Sequence, residues 1–167
     1  FRYPIQMTQA FKDAVQAGPL VPRPIGGGGL ASTAADYIRF SRMILNDGQL
    51  DGARVLKAET VAAMSRNQIG GVSVPALKTA MPERSADFTF VADGRDKWGL
   101  GFMITADAVS GKRSAGSLSW GGINNTYYWI DTTRQRCAVL MTQILPFADD
   151  TVLELLDEME RAVNGID

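Results

Sequence analysis

Apolar positions recur every three or four residues at Tyr37, Ile38, Phe40, Ile44 and Leu45. Ser32-Thr33 precedes them with a capping hydroxyl, and Asp36 stands three residues after Thr33, so the pattern predicts a helix over 34–46. Asn46-Asp47-Gly48 ends it, and a turn-rich stretch through Asp51-Gly52 leads to a second helix expected over 57–66. Residues 1–25 read as an irregular lead-in, because Pro4, Pro19, Pro22 and Pro24 forbid sustained helix, with a short one allowed from Thr8 to Ala17. Residues 68–97 have no clear period and predict a surface excursion with one strand from Phe88 to Val91. From Trp98 the pattern changes to strands, expected at 98–105, 114–121, 125–131 and 136–143. Their short connections make an antiparallel meander.

On the 125–131 strand Thr126, Tyr128 and Ile130 face one way, and Tyr127 and Trp129 the other. A sheet apolar on both faces needs a cover on each. A final helix over 149–163 supplies one cover through Val152, Leu155, Leu156, Met159 and Val163, with Glu154, Asp157, Glu158 and Arg161 opposite. The helices at 34–46 and 57–66 are available for the other. The fold class expected is α+β, an antiparallel sheet flanked by helices.

Composition narrows the chemistry. The 167 residues fit one domain, and 17 basic against 18 acidic residues leave a net charge of -1 with no basic footprint for nucleic acid or an anionic membrane. Neither is expected as a partner. No apolar run approaches the roughly 20 residues of a membrane span, and Phe1-Arg2-Tyr3-Pro4 has no signal-peptide layout, so the sequence reads as a fragment. Cys137 is the only cysteine, within the apolar run Cys137-Ala138-Val139-Leu140-Met141, and is expected to be a buried, inert thiol. With no histidine the chain holds neither a Ser-His-Asp triad nor a histidine metal site. The single cysteine excludes a cysteine-rich metal site as well.

Three short patterns carry little. Gly26-Gly27-Gly28-Gly29 is followed by Leu30-Ala31 and preceded by Pro24-Ile25, which does not match a dinucleotide fingerprint. Ser65-x-Asn67 reads as helix-end polarity, and Lys78-Thr79 is followed by Ala80 where a K-T-G motif needs glycine. Trp120-Gly121-Gly122 is different, because two strand-like runs meet there. An interior glycine pair marks either a hairpin turn or a place where backbone closely approaches a ligand, and composition leaves both open.

In order along the chain, several stretches resemble the serine β-lactamase-like hydrolases: class C β-lactamases, D-alanyl-D-alanine carboxypeptidases and family VIII carboxylesterases. Gly27-Gly28-Gly29-Leu30-Ala31-Ser32-Thr33-Ala34-Ala35-Asp36-Tyr37 is similar to the family's G-G-L-x-S-T-x-x-D loop and helix start. Trp98-Gly99-Leu100-Gly101-Phe102 resembles its G-x-G-W/F strand, and Trp120-Gly121-Gly122 stands in the place of its third motif, which reads K-T-G in the lactamases and W-G-G or H-x-G in many esterases. Tyr128-Trp129-Ile130-Asp131, Val139-Leu140-Met141-Thr142-Gln143 and the last helix continue the match, which covers most of residues 26–163. The family's S-x-x-K and Y-x-N motifs are missing from the chain.

The resemblance implies that residues 1–167 are the C-terminal portion of a single β-lactamase/transpeptidase-like catalytic domain, with the nucleophile-bearing N-terminal portion, its partner, outside this sequence. It implies acyl transfer through an acyl-serine, which requires no metal or organic cofactor, with the backbone N–H of Ile123 as one oxyanion donor on an edge formed by Trp120, Gly121 and Gly122. Trp120, Asn124, Gly27 and Gly28 are then the substrate-binding positions. Trp120 replaces the lysine that holds a carboxylate in the lactamases, so a neutral ester or amide is the expected small-molecule substrate. A β-lactamase or D-amino-acid peptidase activity, or a non-catalytic binding module, are the alternatives. A bacterial protein is expected, with cytoplasm and periplasm both open.

Overall fold

Thr33 sets where the first helix begins. Its backbone is extended (φ -115°, ψ 161°) and its hydroxyl accepts from Asp36 N–H at 3.1 Å, satisfying a helix-end donor that otherwise lacks a partner. The computed structural model describes residues 32–89 and 95–165. Helix α1 spans Ala34–Leu45, one residue short of expectation, and buries Ser41, Met43 and Ile44. A small hairpin follows, β1 (Gln49–Leu50) against β2 (Ala53–Arg54), and then helix α2 (Ala58–Met64), which buries Val61.

The main sheet has the order β3 (Lys97–Trp98), β4 (Met103–Ile104), β5 (Leu118–Gly122), β6 (Thr126–Asp131), β7 (Arg136–Leu140), every neighbour antiparallel. The meander is therefore as expected, but the strand expected over 98–105 is two strands and a turn. Gly99 N–H donates to Phe102 C=O at 2.8 Å, and Leu100 N–H donates to Met64 C=O at 3.0 Å. Gly101 turns through φ +91°, and a side chain at Gly99 would run into the Met64 carbonyl, so a continuous strand is impossible there. The strand expected over 114–121 begins only at Leu118, because Gly116 and Ser117 bond back to Thr105. Phe88 makes a single antiparallel bridge with Leu77, where a strand to Val91 was expected. Residues 90–94 are outside the described residues.

Each sheet face has its cover. Leu118 and Ile130, paired across β5 and β6 and both 0% exposed, pack with Ile104 and Phe102 against Met43 and Ile44 of α1, together with Leu50 and Val61. Helix α3 (Asp150–Asn164) covers the second face. It starts at Asp149, whose carboxylate accepts from Val152 N–H at 3.1 Å. The expected apolar stripe is corrected here: Leu155 is 47% exposed, whereas Glu160 is 2% exposed. The reason is Arg113. Its guanidinium reaches Glu160 through Nε–Oε1 at 2.7 Å and Nη2–Oε2 at 2.9 Å, and its backbone N–H adds a third bond at 2.7 Å. The same guanidinium lies 5.5 Å from the ring centre of Trp129. Burial alone would raise the Glu160 pKa, but these Arg113 contacts outweigh it and hold the carboxyl below its ordinary value.

Candidate active site

The geometry of the glycine pair follows from which strands run beside it. Strand β4 pairs with β5 only at Leu118 and Ser119, while β6 pairs with β5 along its whole length to Gly122. Gly121 and Gly122 therefore present one backbone edge with no ladder partner among the described strands. Beside this edge Trp120 meets Trp98 edge to face, ring centres 4.6 Å apart at 83°. Both indoles are half-buried.

Both glycines are required by the neighbouring strand. A Cβ at Gly121 would lie 2.9 Å from two ring carbons of its cross-strand partner Tyr127 and 3.2 Å from the Phe147 ring. A Cβ at Gly122 would overlap the Thr126 hydroxyl. The missing side chains thus admit the partner strand first, and the bare edge is a by-product of that packing.

Ile123, Asn124 and Asn125 form the three-residue tip between Gly122 and Thr126. Asn125 has φ 58°, the left-handed conformation a three-residue hairpin loop needs at its last position. It is also the clamp. Fully buried, its Nδ2 donates to Ile144 C=O at 3.0 Å and Pro146 C=O at 2.6 Å, and its Oδ1 accepts from Tyr127 O–H at 2.8 Å and Asp149 N–H at 3.2 Å. The Thr142 hydroxyl donates to Asn124 C=O at 2.7 Å. The tip is fixed to the loop beyond β7 and to the start of α3. That loop takes residues 141–143 out of the expected strand.

The sequence-predicted positions divide accordingly. Trp120, Gly121, Gly122 and Ile123 lie consecutively at the end of β5 and on the tip, and Ile123 is 55% exposed. None of the turn and loop hydrogen bonds among the described residues uses the Ile123 N–H. Asn124 is at the tip, its Nδ2 3.4 Å from Gln143 Oε1. Gly27 and Gly28 lie outside the described residues. Asn125, Thr142 and Trp98 were not among the expected site positions, although an Asn-Asn pair between two strands is itself a signal for a residue with positive φ.

Electrostatics identify no nucleophile or base here. The phenols of Tyr37 and Tyr128 are hydrogen-bonded to each other between α1 and the sheet, and burial pushes both pKa values up. Burial likewise pushes Tyr127 up to about 12. These phenols stay protonated at neutral pH. Burial also raises the Cys137 thiol, in keeping with the inert role expected of it. Among the described residues Lys97 Nζ reaches Ser73 Oγ at 3.0 Å, but it also donates to Val72 C=O at 2.8 Å and ties the 72–74 segment to β3. No group of three or more Cys, Asp or Glu able to hold a metal occurs among the described residues.

The β-lactamase family model matches residues 3–158. The chain belongs to the β-lactamase family. Among its relatives, protein Rv1367c of Mycobacterium tuberculosis is 31% identical over 72% of this chain and 29% of its own length. Lovastatin esterase of Penicillium rubens is 30% identical over 78% of this chain and 33% of its own, and acyltransferase calJ of Penicillium decumbens 29% identical over 81% and 32%. The β-lactamase-family chain thus spans about a third of the length of these relatives. Its fold is similar to that of a mutant simvastatin synthase (LovD) from Aspergillus terreus, with TM-score 0.63 and 23% identity over 84% of this chain and 34% of that one. A β-lactamase from Mycobacterium bovis gives TM-score 0.57 and 22% identity over 80% and 44%. At these identities the likeness establishes the β-lactamase/transpeptidase-like fold, a mixed α+β arrangement.

Proposed function

We propose that this chain is the C-terminal part of a serine hydrolase or acyltransferase that acts on a neutral carboxylic ester. The observation that carries the reading is the bare edge of Gly121 and Gly122, which follows Trp120 and runs into the exposed Ile123 at a tip held by Asn125. An N-terminal portion with the S-x-x-K and Y-x-N motifs supplies the nucleophile. Its serine, giving up its proton to the lysine–tyrosine pair, attacks the ester carbonyl, and the C–O bond to the alcohol breaks as that alcohol takes up a proton. Water or an acceptor alcohol then releases the acyl group. In both tetrahedral stages the carbonyl oxygen carries negative charge. Ile123 N–H is one of its two donors, each worth about 3–4 kcal/mol of transition-state stabilisation. The indole of Trp120 offers an apolar wall where a cation would favour a carboxylate, and the names of the esterase and acyltransferase relatives support the same preference.

Turnover of a short p-nitrophenyl ester by the chain joined to, or mixed with, its N-terminal portion tests this, with mass spectrometry locating the acyl adduct. An adduct on a serine outside these 167 residues is expected. Absence of both adduct and turnover would refute the enzyme and favour a binding module, while turnover of nitrocefin or a D-amino-acid peptide in preference to the ester would move the assignment within the family.

A further inference from the structure

Asp96 stands one residue before β3 and joins three segments. Its C=O accepts from Val74 N–H at 2.8 Å, and its carboxyl Oδ1 accepts from Ala106 N–H at 2.9 Å, two residues past β4. The two residues that follow carry further ties. Lys97 Nζ donates to Val72 C=O and Ser73 Oγ, and the Trp98 ring meets that of Trp120. Strand β3 is only two residues long, so the bonds of Asp96 are a large part of what holds it in place.

Asp96 is 2% exposed, and its carboxyl Oδ2 has no hydrogen-bond partner. No described cation pairs with it. Arg113 is engaged by Glu160 through two side-chain bonds, Arg95 pairs with Asp107 at 3.1 Å, and Lys97 is held at Val72 and Ser73. The charges acting on Asp96 are the more distant Arg113, which favours its ionisation, and Asp107, which opposes it. A buried carboxylate with one hydrogen bond and no ion pair costs far more than the same group uncharged, and such a group takes up a proton instead. Burial accordingly pushes the Asp96 pKa up from the ordinary 3.8.

We propose that Asp96 is a proton-operated latch: its neutral carboxyl keeps β3 closed on β4, and its ionisation opens that end of the sheet. The carboxylate regains water only where the Ala106 and Val74 hydrogen bonds part, and the strand bearing Trp98 is then free to leave Trp120. A group whose pKa is raised on folding stabilises fully below its unfolded value and loses that contribution as pH rises to the folded one. Glu160 and Asp131, whose pKa values are held down, respond in the opposite sense, so the direction of the effect tells these groups apart. The latch stands whether or not the chain takes part in acyl transfer.

Hydrogen exchange read by mass spectrometry on the full-length protein, corrected for the intrinsic pH dependence of exchange, tests this between about pH 4 and pH 8. Protection of the peptide containing residues 97–106 is expected to fall as pH rises from the ordinary 3.8, by up to about tenfold per pH unit, and to level off once the folded carboxyl has itself ionised. Asp96→Asn, neutral at every pH and still able to accept from Ala106 N–H, should hold its protection level across the range. Protection that is flat or rises with pH in the unmutated protein would overturn the latch, and so would a fall that Asp96→Asn leaves unchanged. The direction measured on the unmutated protein decides even where the variant fails to fold.

Discussion

Replacing Asn125 with glycine separates what this residue does for the backbone from what its side chain does for the site. Glycine keeps φ 58° without penalty, so the loss falls on the side chain's four hydrogen bonds. Ile144 and Leu145 are 43% and 53% exposed, so the carbonyls of that loop can turn to water. The Tyr127 hydroxyl has less recourse: its residue is 4% exposed, and the phenol, raised to about 12, remains a proton donor whose one acceptor among the described residues is Asn125 Oδ1. One buried donor left without a partner costs about 1–3 kcal/mol, and each of the three other bonds about 0.5–1.5 kcal/mol before rehydration, so a net loss of about 3 kcal/mol is expected. Asn125→Ala adds about 1 kcal/mol for placing a Cβ in the left-handed region. Urea unfolding at neutral pH measures both. A change below about 1 kcal/mol for Asn125→Gly would refute the clamp, because loss of even one buried partner exceeds it. Under the proposed function the same variant also lowers kcat, because it frees the tip that presents Ile123.

Other substitutions test neighbouring parts of the argument. Ile123→Pro removes the proposed oxyanion donor; kcat for an ester is expected to fall about 10²- to 10³-fold with little change in KM, and an unchanged kcat would exclude that role. Gly121→Ala forces a methyl to 2.9 Å from the Tyr127 ring, which costs about 1–3 kcal/mol by overpacking, and a double-mutant cycle with Tyr127→Leu should recover part of that loss; strict additivity would show that the ring is not the obstacle. Glu160 has a folded pKa below its ordinary 4.5, so its stabilising contribution is complete above that value and is lost as pH falls through the depressed one. Glu160→Gln should therefore destabilise the protein at pH 7, by about 3 kcal/mol, and flatten its stability profile in acid; a profile as steep as wild type would assign the acid sensitivity elsewhere.

The parts of the fold legible in the sequence are those fixed by local chemistry. Thr33 and Asp36 announce α1 because a capping interaction spans three residues, and β6 shows its two buried faces in its own alternation. What was misread depends on distant partners. Gly99 lies against the carbonyl of Met64, and nothing within residues 98–105 reveals that approach. Leu155 was placed on the buried stripe of α3 and Glu160 on neither face, because the Arg113 that draws Glu160 inward lies 47 residues earlier. At the candidate site the tripeptide Trp120-Gly121-Gly122 was legible, but Asn125 was not, because its contacts lie 19, 21 and 24 residues further along the chain.

The Trp98–Trp120 contact gives the site an optical signature. Two indoles 4.6 Å apart and nearly perpendicular share excitation, which produces a paired positive and negative band in the circular dichroism spectrum rather than the sum of two isolated chromophores. Because Trp98 comes from the hairpin turned by Gly101 and Trp120 from β5, the amplitude of that couplet measures how closely the two strands keep their spacing. A ligand seated on the edge would change it without any label, and Trp98→Phe should erase it.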